Sequence, residues 1–100
     1  MSSSNIQAVT KTADGHAIAG RTRVVGIYFT NTATGSSFSL KNGSTSSGTA
    51  LITINTPAAA GASDIIVPDM GILFDTGVFI DVADVNVTSV TLLFQGGAAQ

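Results

Sequence analysis

Short runs of β-branched and aromatic residues, separated by glycine, asparagine, aspartate and proline, recur along the whole chain and constrain its fold most strongly. No window shows the i, i+3, i+4, i+7 spacing of apolar residues that an amphipathic helix needs. At 100 residues, the chain has the usual size of one domain with one hydrophobic core. The sequence therefore predicts an all-β, single-domain antiparallel β-sandwich or jelly-roll-like barrel of about 7–9 short strands.

The predicted domain covers residues 1–100, and residues 1–4 and 96–100 are expected to be loose or docked on a partner. The strands are predicted at residues 6–12, 17–19, 22–31, 37–41, 49–56, 64–67, 71–74, 78–82 and 87–95. In the strand at 49–56, alternation places Ile52 and Ile54 toward the core.

Residues 21–31 (RTRVVGIYFTN) are apolar on both faces if the strand alternates regularly. Such a strand is either central in a sandwich or half-exposed to a partner subunit. Gly26 indicates a bulge or a close backbone approach within it. Arg21 and Arg23 share one face, which is either an exposed edge kept soluble by charge or a contact to an acidic patch on a partner. The candidate partner-contact residues are Arg21, Arg23, Val25, Ile27 and Phe29.

Three segments are predicted to be connections. Residues 42–49 (NGSTSSGT) begin with Asn-Gly and favour a flexible hairpin loop. They do not form a phosphate-binding loop, because no lysine follows the glycine and a strand comes next. Residues 56–63 (TPAAAGAS) are a second surface connection, and in residues 67–71 (VPDMG) Pro68 is expected at the first corner of a turn.

The stretch ILFDTGVFI contains Asp75-Thr76-Gly77, the tripeptide of aspartic protease catalytic loops. Such a site needs two loops whose carboxylates share one proton, and a homodimer could supply both. The match fails beyond the tripeptide: Val78 follows the glycine where that family places alanine or serine, and the loop lies in the last third of the chain. We expect a hairpin turn with Asp75 at its corner, and a homodimeric aspartic protease is kept as an alternative.

No other catalytic, cofactor or metal site is predicted. The chain has no cysteine, and its single histidine, His16, is expected to be a solvated loop residue with too few neighbouring ligands for a metal. No serine lies in a Gly-x-Ser-x-Gly motif. Four basic residues are too few for a nucleic-acid interface, and no apolar run is long enough to span a membrane. We therefore expect a non-enzymatic protein with no cofactor, no nucleic acid and no membrane among its partners.

The composition indicates a protein that packs against others. Only ten residues are charged, whereas serine and threonine together number 24, so the surface should be rich in hydroxyl groups. All four basic residues precede residue 50, and five of the six acidic residues follow it. These charges either cancel within the fold or form complementary patches between neighbouring copies, as a homo-oligomer would use.

Several segments together resemble the small all-β virion structural proteins of tailed phages, especially marine and cyanobacterial phages. They are AGRTRVVGIYFTNTATGSSFSLKNGSTSSGTALITINTPAA, DIIVPDMGILFDTGVFIDV and VTSVTLLFQG, which cover most of residues 19–96. The resemblance lies in turn residues and strand pattern, and the family offers no catalytic residues to carry over.

The resemblance implies a virion location, with assembly in the host cytoplasm. The expected role is a capsid decoration or cement protein that binds the major capsid protein and stabilises the shell. The alternative is a tail or neck adaptor, or a fibre-linked or host-surface-binding component of the particle.

Overall fold

The computed structural model describes residues 6–100, and all its regular elements in that range are β-strands. They are β1 (Gln7–Lys11), β2 (Gly15–Asn31), β3 (Ser37–Asn42), β4 (Thr49–Asn55), β5 (Gly61–Ile66), β6 (Ile72–Phe74), β7 (Gly77–Val82) and β8 (Val87–Ala99). Every pairing between them is antiparallel. The predicted all-β antiparallel fold is confirmed, and residues 1–4, predicted to be a loose tail, lie outside the described residues.

Strand β2, 17 residues long, organises the sheet. Strand β8 pairs along one side of it, from Ile18 to Asn31. On the other side β7, β6 and β5 follow one another, against residues 15–19, 22–24 and 26–31 of β2. Strand β1 extends the sheet beyond β8, and β3 and β4 extend it beyond β7, which gives the order β1-β8-β2-β7-β3-β4.

Strand β2 bends at Gly20, whose φ of 88° is a conformation that glycine adopts without strain. The register between β2 and β8 shifts at the same place, between Ala19 and Thr22. The two parts of the sheet on either side of the bend enclose one core. Residues 17–19 and 22–31 were predicted as separate strands, but glycine lets one strand turn here without ending.

The core joins both parts of the sheet. The ring of Phe29 on β2 meets the ring of Phe38 on β3 edge-to-face, with 5.3 Å between ring centroids. Other fully buried side chains come from either side of the bend: Val24, Ile27, Leu40, Phe74, Val78, Ile80, Val90, Leu92 and Phe94. Burial of these apolar side chains is the main stabilising contribution to the fold.

The β3–β4 hairpin matches its prediction. Residues 43–48 connect the two strands, which pair from Ser37 with Asn55 to Asn42 with Thr49. Ile54 is buried and Ile52 packs at the margin of the core, as the alternation predicted. Strand β4 is displaced by one residue against β3 at Leu51, because Leu40 faces Ile52 whereas Lys41 faces Ala50.

The C-terminal residues continue strand β8. Residues 96–100 were expected to be loose or docked on a partner, but Ala98 and Ala99 pair with Ala19 and Ile18 of β2. The amide of Gln100 also donates to the carbonyl of Ala17 at 2.9 Å. Gly96 and Gly97 do not end the strand, because their positive φ angles of 76° and 68° let the chain follow the bend of β2.

The connection between β5 and β6 contains a turn whose corners are not glycine. Gly71 donates its amide proton to the carbonyl of Pro68 at 3.1 Å, which makes Asp69 and Met70 the corner residues. Pro68 therefore precedes the corners instead of occupying the first one. Asp69 and Met70 have φ angles of 56° and 69°, the left-handed values of a type I′ turn.

Replacing Met70 with glycine should stabilise the protein. The Met70 side chain is 69% exposed, so little packing is lost, whereas glycine removes the steric cost of left-handed φ. After the greater entropy of the unfolded glycine chain is subtracted, we expect a gain of about 0.5 kcal/mol in the free energy of unfolding. Urea denaturation measures it. Met70→Ala is the control, because alanine keeps the Cβ and should bring no gain.

Candidate functional site

The strands β1, β8, β2 and β5 present one face to the core and the other to solvent. We call the solvent side of these four strands the outer face. Its central row runs from Ala8 through Leu93 and Gly26 to Ile66, each aligned with the next on the neighbouring strand. The next row runs from Thr10 through Thr91 and Tyr28 to Asp64. The sheet thus places large apolar side chains beside threonine hydroxyls on an open surface.

Three large apolar side chains stand out on the outer face. Leu93, Tyr28 and Ile66 are 37%, 46% and 74% exposed. Gly26 makes room for Leu93, since a Cβ at position 26 would lie 3.1 Å from Leu93 Cδ1. The leucine side chain therefore lies across β2 toward Ile66. A contiguous apolar patch on a folded protein, unlike single exposed apolar residues, is a typical site of contact with another molecule.

The hydroxyl groups of the outer face bond to one another. Thr10 Oγ1 and Thr91 Oγ1 are 2.7 Å apart, on neighbouring strands. Thr30 Oγ1 lies 2.6 Å from Ser89 Oγ in the same way. Because these groups already have hydrogen-bond partners, covering them with another protein costs less than burying hydroxyls that depend on water.

Few charges border the outer face. Asp64 lies within it, and Arg23 lies beyond the Leu93 row, aligned with Gln95 on β8 and Leu73 on β6. Arg21 lies at the bend, where its Nη1 is 3.5 Å from Asp75 Oδ1, and both side chains are largely exposed. Such an exposed ion pair contributes little to stability and leaves the guanidinium free to contact a partner.

Two of the predicted partner-contact residues belong to the core. Ile27 is 1% exposed and Phe29 is 3% exposed, so neither can touch a partner. The reason is a β-bulge: Val24 faces Phe94 and Gly26 faces Leu93, which leaves Val25 as an extra residue. The bulge shifts the alternation by one, so that Val24, Ile27 and Phe29 all point inward. The prediction of a bulge at Gly26 is confirmed.

The other three candidates lie on the solvent side of β2. Arg21 is exposed, and Arg23 and Val25 are half-buried. Sequence reasoning missed Tyr28, Leu93 and Ile66 as surface residues. Gly26 carried the signal that could have found Tyr28, since a bulge there turns the next alternate positions outward. The positions of Leu93 and Ile66 depend on strand pairing, which the local pattern does not contain.

The Asp-Thr-Gly segment is not a hairpin. Strands β6 and β7 do not pair with each other; both pair with β2, one after the other along the same side. Asp75 and Thr76 bridge them opposite the bend of β2, where Gly20 donates its amide proton to the carbonyl of Thr76 at 3.1 Å. The prediction of a hairpin corner was wrong. These turn-forming residues connect two strands that both pair with β2, at the point where β2 bends.

Asp75 has the surroundings of an exposed ion pair. Its contact within the described chain is Arg21, with no second carboxylate beside it to share a proton. His16 is not a loop residue as expected: it lies in β2, half-buried, with a buried Nε2 that has no hydrogen-bond partner among the described residues. In residues 6–100 no three side chains of the metal-binding types converge.

A groove of about 580 Å³ lies between the β1–β2 turn and the β7–β8 connection. Asp14 Oδ1 accepts a hydrogen bond from the amide of Val82 at 2.7 Å, and Asp84 Oδ1 accepts from the amide of Asn86 and the hydroxyl of Ser36. The Asn86 amide, and then the Ser36 hydroxyl, hold the pKa of Asp84 below its ordinary value of 3.8. Both carboxylates thus tie loops together, which is a structural role.

Among residues 6–100, no helix is long and apolar enough to cross a bilayer. No protein-family model matches the chain, and the comparison with curated proteins gives no match either. Among solved structures, the chain is similar to the coat protein of tobacco streak virus, with a TM-score of 0.43 and 11% sequence identity over 98% of this chain and 90% of that one. A likeness of that size is too slight to support a statement about function.

Proposed function

We propose that this protein is a non-enzymatic structural component of a virus particle, and that within the particle it decorates the capsid by binding the major capsid protein. The sequence resemblance to small virion proteins of tailed phages supports this role. The outer face is the observation that carries it. It combines exposed apolar side chains, hydroxyls that already have partners and a single carboxylate, and it offers area for docking without any arrangement for chemistry.

Binding would come from burying this face against the capsid surface. Each 100 Å² of apolar area removed from water contributes about 2.5 kcal/mol before the costs of association. The contact repeats at every equivalent position of a symmetric shell, so that modest binding at each site adds to the stability of the whole shell. Arg21, Arg23 and Val25 continue along the same side of β2 and would extend the contact, with the two arginines meeting acidic groups of the capsid protein.

The proposal predicts that charge on the outer face abolishes capsid binding. Leu93→Lys and Tyr28→Lys should each lower the occupancy of capsids at least about 10-fold, because docking would have to strip water from a lysine ammonium instead of burying an apolar side chain. The measurement is the amount of each variant that co-sediments with capsids lacking the protein. Val85→Lys is the matched control, since Val85 is 87% exposed in the β7–β8 connection, and it should bind as the wild type does.

Arg21→Ala combined with Arg23→Ala should weaken binding less and reduce its dependence on salt. Occupancy of Leu93→Lys and Tyr28→Lys equal to that of the wild type would remove the outer face from the contact. Unchanged occupancy of the double arginine variant would remove those two residues alone.

A further inference from the structure

Strand β4 ends the sheet on the side of β3, and its other edge is open. It pairs with β3 only, and no described residue pairs with its outer edge. The backbone N–H and C=O groups on that edge therefore face solvent. An edge of this kind is a template for another extended strand.

β4 lacks the usual protection of an edge strand. Its seven residues, TALITIN, include no charge and no proline, and five of them are exposed. Three other strands pair along one edge only within residues 6–100, and they differ from it; one of them, β6, is only three residues long. β1 ends in Lys11, and β5 begins with Gly61 and carries Asp64. Charges and glycines of this kind discourage pairing with a further strand.

The bulge at Leu51 limits how a partner strand can align. It interrupts the regular edge on one side, so the regular part of β4 runs from Ile52 to Asn55. Two copies of β4 that pair antiparallel about a two-fold axis at Thr53 would use this regular part. In that register Ile52 lies opposite Ile54 of the second copy, and Thr53 lies opposite its own equivalent.

Both faces of β4 are self-complementary in this register. On the inner face Ile52, which is half-buried at the margin of the core, would pack beside the second copy's Ile54 and become covered. On the outer side Thr53 would meet another threonine, a favourable cross-strand pair. The neutral strand also brings no like charges together. We infer that β4 pairs with β4 of a second copy of this chain, joining two sheets into one across a two-fold axis.

This inference goes beyond the proposed function and does not depend on it. The β4 edge and the outer face involve different residues, and dimerisation can be measured without capsids. Charge on the outer face, as in Tyr28→Lys, should leave the dimer intact, so the two proposals can fail separately.

The test places charge on the two-fold axis. Thr53→Lys and Thr53→Glu should each raise the dimer dissociation constant at least about 10-fold, because like charges face each other across the axis. An equal mixture of the two variants should form a mixed dimer about as tight as the wild type. Sedimentation equilibrium measures the constants, and native mass spectrometry identifies the mixed dimer. Val85→Lys adds the same charge away from β4 and should dimerise normally.

Amide hydrogen exchange of the wild type gives a second test that needs no variant. Exchange of β4 amides should slow as protein concentration rises, whereas exchange in β1 and β5 should not change. A wild type that stays monomeric at high concentration would overturn the inference. So would a Thr53→Lys variant that dimerises like the wild type, or variants that form no mixed dimer.

Discussion

Phe29→Ala should lower the free energy of unfolding by about 4 kcal/mol, whereas Tyr28→Ala should lower it by about 1 kcal/mol or less. The two aromatic residues are adjacent in the chain but differ in environment. Phe29 is 3% exposed and packs edge-to-face on Phe38, while Tyr28 is 46% exposed on the outer face. Removing the Phe29 ring leaves a cavity between the two parts of the sheet, which the surrounding strands cannot fill.

Urea denaturation of both variants measures the difference. A loss of about 4 kcal/mol is a large part of the stability of a domain this size, so Phe29→Ala should be close to unfolding at 37 °C. A larger loss for Tyr28→Ala than for Phe29→Ala would contradict the β-bulge at Gly26, because regular alternation from Val24 would turn Tyr28 inward and Phe29 outward. In that case regular alternation would hold, and Ile27 and Phe29 would return as candidates for the partner contact.

Gly77→Ala should lower the free energy of unfolding by about 3 kcal/mol, while Asp75→Asn should change it by less than about 0.5 kcal/mol. A Cβ at Gly77 would lie 2.6 Å from the carbonyl oxygen of Ile18, and its φ of 146° suits glycine. The backbone of β2 would have to move away from β7 to relieve this contact. The Asp75 carboxylate, in contrast, makes only an exposed ion pair with Arg21.

Gly15→Ala is the matched control for Gly77→Ala, because a Cβ at Gly15 meets nothing within 4 Å. It should change stability little. Together the two glycine variants measure how much the close approach of β7 to β2 at Gly77 contributes to stability. Peptide cleavage by the purified protein that is lost in Asp75→Asn would contradict the structural role and restore the aspartic protease alternative.

The sequence predicted the local features of the fold well. Hydrophobic alternation located all eight strands, with β2 divided into two, because apolar and polar residues record which face of a strand is buried. The Asn-Gly pair marked the β3–β4 hairpin, and Gly26 marked the bulge in β2. These signals are local, since each depends on the conformations that a few neighbouring residues allow.

Features that depend on pairing between distant residues were not predictable from the sequence. The Asp-Thr-Gly segment joins β6 to β7. The same turn residues suit a hairpin between two paired strands and a connection between two strands that both pair with a third. Only the pairing of both strands with β2 distinguishes the two. The outer face was missed for the same reason, because Leu93, Tyr28 and Ile66 come together through three different strands.

The bulge shows how a single local feature can reverse a functional assignment. The bulge itself was predicted, but the predicted contact residues assumed regular alternation through residues 27–31. The consequence is that Ile27 and Phe29 exchange roles with Tyr28: the first two stabilise the core, and the tyrosine faces outward. A candidate contact surface derived from alternation alone should therefore be checked wherever glycine interrupts a strand.

Direct binding of the purified wild-type protein to capsids stripped of it tests the central claim. We expect the protein to co-sediment with the capsids in saturable amounts, in a fixed ratio to the major capsid protein. Binding of only a few copies would place it instead in the tail or neck of the particle. A protein that stays in the supernatant at every concentration, with capsids that are intact and unoccupied, would contradict the structural role in the virion.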